Sequence, residues 1–199
     1  MLADVALTNL TNHFLIAMPS LHDLFFARSV VYLCEHSERG ALGLVINKPC
    51  DINVKGLFDK VELALMREDL CVAPVFIGGP VQTERGFVLH EPVFADADKP
   101  QVPLFASTLC VPGGLEMTTS KDVLQAIAIG AGPRKILISL GYSAWGQGQL
   151  ESELSQNSWL TVAADPRLVF DTPVAQRWDA ALQLLGLQAW MLSSEVGHA

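Results

Sequence analysis

Short apolar runs broken by turn residues govern what this chain can become. FLIAM (Phe14–Met18), SVVYLCEH (Ser29–His36) and ALGLVIN (Ala41–Asn47) are strand-length, β-branched or apolar segments. SERG, Ser37 to Gly40, would join the second and third as a hairpin, with Gly40 supplying the positive φ such a loop needs. No apolar run approaches the ~18 residues of a membrane-spanning helix. The opening MLADVALTNLTNHF has no basic segment and is interrupted by polar residues, so it does not read as a secretory signal. A cytoplasmic protein without membrane contact is the expectation.

A second pair of runs, VFIGGP and GFVLHEP, repeats the pattern around Thr83–Gly86. SERGALGLVINKP and TERGFVLHEP each combine a turn, an apolar strand and a charged residue before proline. They read either as two similarly built hairpins or as one turn chemistry used twice. The second half is helical in pattern. Thr119 would cap a helix with Asp122 at the reciprocal position, its stripe being Val123, Leu124, Ile127 and Ala131. KILISL returns as a buried strand. Asp165-Pro166 and Thr172-Pro173 each read as a cap followed by proline at the first helical position. The last helix would bury Val174, Trp178, Ala181 and Leu185. The stretches Glu62–Pro74 and Asp96–Pro103 are too short to separate domains, which leaves one α+β domain.

Half the residues are hydrophobic and only 17% charged, which excludes a disordered chain. Net charge is −8, and the 13 Lys and Arg form no run, so direct binding to a nucleic-acid duplex is disfavoured. Cys34, Cys50, Cys71 and Cys110 form no CxxC pair and read as small core residues rather than metal ligands. GYSAWGQGQLESEL, from Gly141 to Leu154, has strand, glycine turn, serine and helix in the order of a nucleophile elbow. Trp145 stands where that motif needs its second glycine, and only His198 follows Ser143 as a possible triad base. No lysine follows the glycines, so a phosphate loop does not fit either. Glu151 and Glu153 suit the positive end of the following helix and would repel an anion there.

What remains is a tight strand-to-helix corner, with Tyr142 and Trp145 available for packing or for a partner. In CEH, Cys34 and His36 share one strand face and Glu35 takes the other. Gly78-Gly79 would allow a ligand to approach the backbone or mark a sharp corner. Lys48 and Arg85, near strand ends, would rim a small-ligand pocket, to which His90 and His36 are further candidates.

HFLIAMP, SVVYLCEHSERGALGLVINKP, GGPVQTERGFVLH, TSKDVLQAIAIGAGP and LGYSAWGQGQLESELSQNSWL together resemble the YqgE/AlgH family of bacterial proteins, in order from His13 to about Pro173. The resemblance implies a single domain over residues 1–199, its core at about 13–173 and a helical segment at 173–199. The implied fold is α+β, with a largely antiparallel, barrel-like β core and flanking helices. It brings no catalytic residue, cofactor or metal. It implies a role in transcriptional regulation, exerted through protein or small-ligand contacts. An enzyme with a pocket of His90, His36 and Arg85 is the alternative. Recurring family positions add Asn47 and Gln149 to a candidate binding surface of Lys48, Gly78, Gly79, Arg85, His90, Tyr142 and Trp145. The family usually has Ala-Gly where this chain has Ser143-Ala144, so Ser143 is not part of its pattern.

Overall fold

The computed structural model describes residues 9–94 and 102–192. Its ten described strands are β1 (His13–Ala17), β2 (Val30–Ser37), β3 (Gly40–Val45), β4 (Pro49–Asn53), β5 (Pro74–Ile77), β6 (Val81–His90), β7 (Thr108–Cys110), β8 (Glu116–Thr118), β9 (Ile136–Trp145) and β10 (Trp159–Ala163). They run in the order β10-β1-β2-β3-β9-β6-β8-β7, with β5 pairing both β4 and β9. Every described pairing is antiparallel except β5 with β9. Among the described residues five α-helices flank this curled half-barrel: α1 (Val54–Lys60), α2 (Lys121–Ala128), α3 (Gln149–Ser155), α4 (Pro166–Phe170) and α5 (Arg177–Leu184). The α+β expectation is met. Among the described residues no helix is long and apolar enough to cross a membrane.

The apolar runs are continuous because both faces of these strands are buried. Phe14, Ile16, Val30, Tyr32, Leu44 and Ile46 point to one core, shared with Leu168, Trp178 and Leu182 of α4 and α5. Their alternating neighbours Leu15, Val31, Leu33 and Val45 point to a second core with Trp145, Leu150 and Trp159. On the far side of the molecule, Val88 and Ile138 pack under α1 and α2 against Phe58, Val123 and Ile127. Each such side chain removed from water contributes about 1.5–3 kcal/mol, so register is fixed from both sides.

The SERG hairpin forms as expected, with Gly40 at φ 129°. TERG does not make a second one. Thr83–Arg85 is an exposed bulge inside β6: between Val81 and Gly86 the strand advances while its partner β9 moves only from Tyr142 to Leu140. The same polar turn residues satisfy a bulge as well as a loop. KILISL likewise does not end at Gly141. β9 bends there, at φ 71°, and continues to Trp145 because its second half pairs with β3. The corner lies at Gly146–Gly148, and α3 starts after Gly148 in the left-handed region.

The helix caps and faces shift slightly from their expected places. Asp165 caps α4 through the Arg167 N–H, with proline following it as expected. Ser120, not Thr119, is the residue before α2, because Asp122 itself takes the N–H of Val123 and of Ala106. Ala128 replaces the exposed Ala131 on its buried stripe. Thr172-Pro173 opens a single 3-10 turn at Val174–Gln176, and α5 starts at Arg177, with Leu182 buried in place of the exposed Leu185. The Glu62–Pro74 stretch is no linker, since Leu63, Leu65 and Leu70 pack into the third core. Most of Asp96–Pro103, the end of the 173–199 segment and His198 lie outside the described residues. Of the cysteines only Cys34 is a buried core residue; Cys110 is exposed, and Cys50 and Cys71 are half-buried.

Candidate functional site

The candidate residues do not converge on one pocket. Gly78 and Gly79 carry the chain across β9, where a Cβ on Gly78 would lie 2.3 Å from the Gly141 carbonyl oxygen and one on Gly79 would lie 1.9 Å from the Tyr142 carbonyl carbon. Their lack of side chains is spent on this crossing, and the backbone that approaches them is that of β9. Ser143 is buried and donates its hydroxyl to the Gly78 carbonyl at 3.0 Å, a structural use that explains its place in the strand. Trp145 is buried against Phe26 and Trp159, so it does not offer a partner surface. Tyr142 is half-buried against Phe87. Gln149 is exposed, donating to Glu153 at 3.0 Å and accepting from the Gly146 N–H.

The two histidines are committed to the fold. His36 accepts the Leu10 N–H at Nδ1 (2.9 Å) and donates from Nε2 to Glu151 at 2.8 Å, which ties the end of β2 to α3. A bulge at Leu33–Glu35 separates it from Cys34, whose thiol sits in the first core with its pKa pushed up by burial. His90 is fully buried, donating from Nδ1 to the Glu91 carbonyl (2.8 Å) and accepting at Nε2 from the Thr118 hydroxyl (2.9 Å). Among the described residues no group of three or more His, Cys, Asp or Glu could hold a metal.

Burial lowers the His90 pKa, so the native ring is neutral while the unfolded chain takes up a proton below about pH 6.5. Partial burial disfavours the charged form of Glu151, but its own N–H and His36 outweigh this and hold the carboxyl below its ordinary value. Both folded-state values are depressed, so both contributions to stability are complete above the unfolded-state values and lost on acidification. The His90 share goes first, as pH falls from about 6.5, and the Glu151 share below the ordinary carboxylate range. Urea midpoints taken between about pH 7.5 and pH 5.5 should therefore fall in the wild type and flatten in His90→Gln. An equally steep fall in that variant would assign the slope to other groups.

Arg85 does stand at a cavity. The cleft, of about 190 Å³, lies between α1, the start of α2 and strands β6 and β9. Its floor is Val88, Ile138 and Leu140, and Leu57 and Leu124 close the sides. Arg85 and Lys121 stand at its polar rim with Glu84 and Ser120. The Arg85 guanidinium donates to Thr119 Oγ1 (3.1 Å) and Gln82 Oε1 (3.4 Å), and meets no carboxylate among the described residues. Thr118 forms part of the wall, so His90 lies one layer behind it, reached only through that hydroxyl.

A wider groove of about 720 Å³ runs beside β7, lined by Phe94, Cys110, Leu115 and Glu116 among others. Its polar groups are already engaged: Glu116 accepts from the Val93 N–H and from the Cys110 thiol, whose pKa burial and Glu116 push up. Both influences disfavour the thiolate form of Cys110.

Asn47 and Lys48 sit elsewhere, at the open end of the β2–β3 hairpin. Asn47 clamps that end, donating to the Arg28 carbonyl and accepting the Val30 N–H, each at 2.8 Å. Lys48 Nζ donates to the Phe25 carbonyl, and Arg177, absent from the sequence-based candidates, donates to the Ile46 carbonyl from the base of α5. A signal for Arg177 was present: it falls on the apolar stripe of Val174, Trp178 and Ala181, where a solvated arginine has no place.

The family model described as AlgH-like (DUF179) matches residues 14–190. A UPF0301 protein of Albidiferax ferrireducens is 74% identical over 197 residues, covering 99% of each chain, and one of Variovorax paradoxus is 73% identical over 199 residues, covering all of both. The solution structure of the AlgH protein from Pseudomonas aeruginosa, 48% identical, covers 98% of both chains with a TM-score of 0.74. A crystal structure of a Corynebacterium diphtheriae protein shares the fold at 21% identity, with a TM-score of 0.67 over 92% of this chain and 91% of that one. Family model, sequence identity and fold agree, and the chain belongs to the AlgH-like family.

Proposed function

We propose that this protein is a ligand-responsive regulator that takes a small amphipathic acid in the Arg85 cleft and acts through a protein partner rather than by holding DNA. The observation that carries this reading is an apolar floor of Val88, Ile138 and Leu140 beneath a guanidinium without a carboxylate. An apolar cavity with one oriented polar group is the usual form of a small-molecule site. The net charge of −8 supports the indirect route, since a phosphate backbone would be repelled by most of the surface. The same chemistry fits the regulatory role implied by the resemblance, and it requires no nucleophile at the cleft.

A thermal-shift series with straight-chain monocarboxylates, butanoate to octanoate, tests it. At 100 times its Kd a ligand adds about 2.7 kcal/mol, which for a chain of this size raises Tm by about 5–10 °C. Arg85→Ala should abolish the preference for the acid over the matching alcohol, and Leu124→Trp should block both. No shift with any chain length, or a shift that survives Leu124→Trp, would reject the cleft. Steeply salt-dependent binding to duplex DNA would reject the indirect route.

A further inference from the structure

Around the open end of the β2–β3 hairpin, three cations gather in a protein of strongly negative net charge. Arg28 and Lys48 flank the continuation of the β2–β3 register, in which Val31 faces Val45 and the Ile46 N–H meets the Val30 carbonyl. Arg177 reaches the same place from α5, bonding the Ile46 carbonyl two residues before Lys48. The Arg28 guanidinium lies 4.2 Å from the ring centre of Trp178, the residue after Arg177. Exposure grades inward: Arg28 is exposed, Lys48 half-buried and Arg177 only 6% exposed.

The contacts these groups make are to backbone carbonyls and to three aromatic faces, Arg28 over Trp178, Lys48 over Phe25 and Arg177 over Phe76, which supply no neutralising charge. Arg177 donates to the carbonyls of Ile46 and Thr172, leaving most of the five guanidinium N–H groups uncommitted. None of the three forms a salt bridge among the described residues. Asp23 acts on Lys48 through its charge, and its Oδ1 already accepts the N–H groups of Phe25 and Phe26. Burial alone acts on Arg177, lowering its pKa to about 10. Arg28 also holds a left-handed backbone, φ 56°, pinned by Asn47 on its carbonyl. An arginine is a poor residue for that conformation, which persists where the surrounding structure holds it, as Asn47 does here.

We propose that Arg28, Lys48 and Arg177 form a binding site for a phosphate-type dianion, either free phosphate or the phosphate group of a small metabolite. Guanidinium forks match its oxygens in pairs, and lysine adds a point charge. The exposed Arg28 meets the incoming anion, and Arg177 supplies donors at the buried end. This site is separate from the Arg85 cleft and does not rest on it.

The test is calorimetric titration of the full chain with inorganic phosphate in a phosphate-free buffer of low ionic strength, with sodium chloride at matched ionic strength as reference. Saturable heat with phosphate, absent with chloride, is expected. Arg28→Gln and Lys48→Gln should each weaken affinity about tenfold, the loss expected for one charge-assisted contact, while Arg85→Gln leaves it unchanged. Arg177→Met should do the same, and if it fails to fold the Arg28 and Lys48 variants still decide the matter. Methyl phosphate separates the sources: tighter binding of the ester assigns the site to a phosphorylated metabolite, and equal or weaker binding to free phosphate. Phosphate behaving like chloride, or Arg28→Gln and Lys48→Gln titrating like wild type, would overturn the proposal.

Discussion

Gly79→Ala should remove much of the protein's stability, although it adds one methyl group to a residue with an ordinary φ. That methyl carbon would lie 1.9 Å from the Tyr142 carbonyl carbon, 2.0 Å from its oxygen and 2.2 Å from the Ser143 nitrogen. All three are backbone atoms of β9, so no side-chain rotation relieves the overlap. Separating the two segments would break the Gly78 bonds that knit the seam: its N–H to the Leu140 carbonyl, and its carbonyl to the Val45 N–H and the Ser143 hydroxyl. The expected loss is about 4 kcal/mol or more, against a total stability of about 5–15 kcal/mol for a domain. Gly86→Ala is the matched control. Nothing lies within 4 Å of the place a Cβ would take on Gly86, and its φ is not in the left-handed region. Its cost should therefore be within about 0.5 kcal/mol of zero. Soluble yield, circular dichroism and urea unfolding of the two variants read the difference. A folded Gly79→Ala protein with near-native stability would return Gly78-Gly79 to the role of a ligand approach.

This pair of glycines also marks where sequence reasoning reaches its limit. The strands were legible because burial on both faces makes Phe14–Ala17 and Val30–Cys34 unbroken apolar runs. The Asp165-Pro166 cap was legible because its chemistry is local. The course of β9 past Gly141 was not, since its continuation is decided by β3, a partner about a hundred residues earlier in the chain. The parallel pairing of β5 with β9 was hidden for the same reason, and with it the use of Gly78-Gly79 as a crossing. At the candidate site, Arg85 was legible as a cation beside a strand. The cleft was not, because its sides come from Leu57 of α1 and Leu124 of α2. His36 and His90 stood out as polar residues in apolar strands, but their partners Leu10, Glu151 and Thr118 are distant in sequence.

Glu153→Ala is expected to destabilise the protein by about 3–5 kcal/mol, which shows how far a helix-dipole reading of GQLESEL falls short. One Glu153 oxygen accepts both the Trp145 indole N–H (2.9 Å) and the Trp159 indole N–H (2.7 Å), and the other accepts from Gln149. The two tryptophans are buried, 4% and 3% exposed, and an indole N–H can only donate. Bonds to a charged acceptor are worth about 1.5–3 kcal/mol each, and removing the shared acceptor leaves both donors unsatisfied in the second core. Dipole stabilisation alone would predict a loss below about 1 kcal/mol. Glu151→Gln is the informative comparison, because its amide oxygen can still accept from His36, while the second Glu151 oxygen has no partner to lose. That change should cost about 1 kcal/mol. Urea unfolding followed by tryptophan emission reads both, and Glu153→Ala should also shift the native spectrum as the indoles lose their acceptor. A Glu153→Ala midpoint indistinguishable from wild type would mean that α3 is not fastened to the sheet through its glutamate, and would free that face of the helix for a partner.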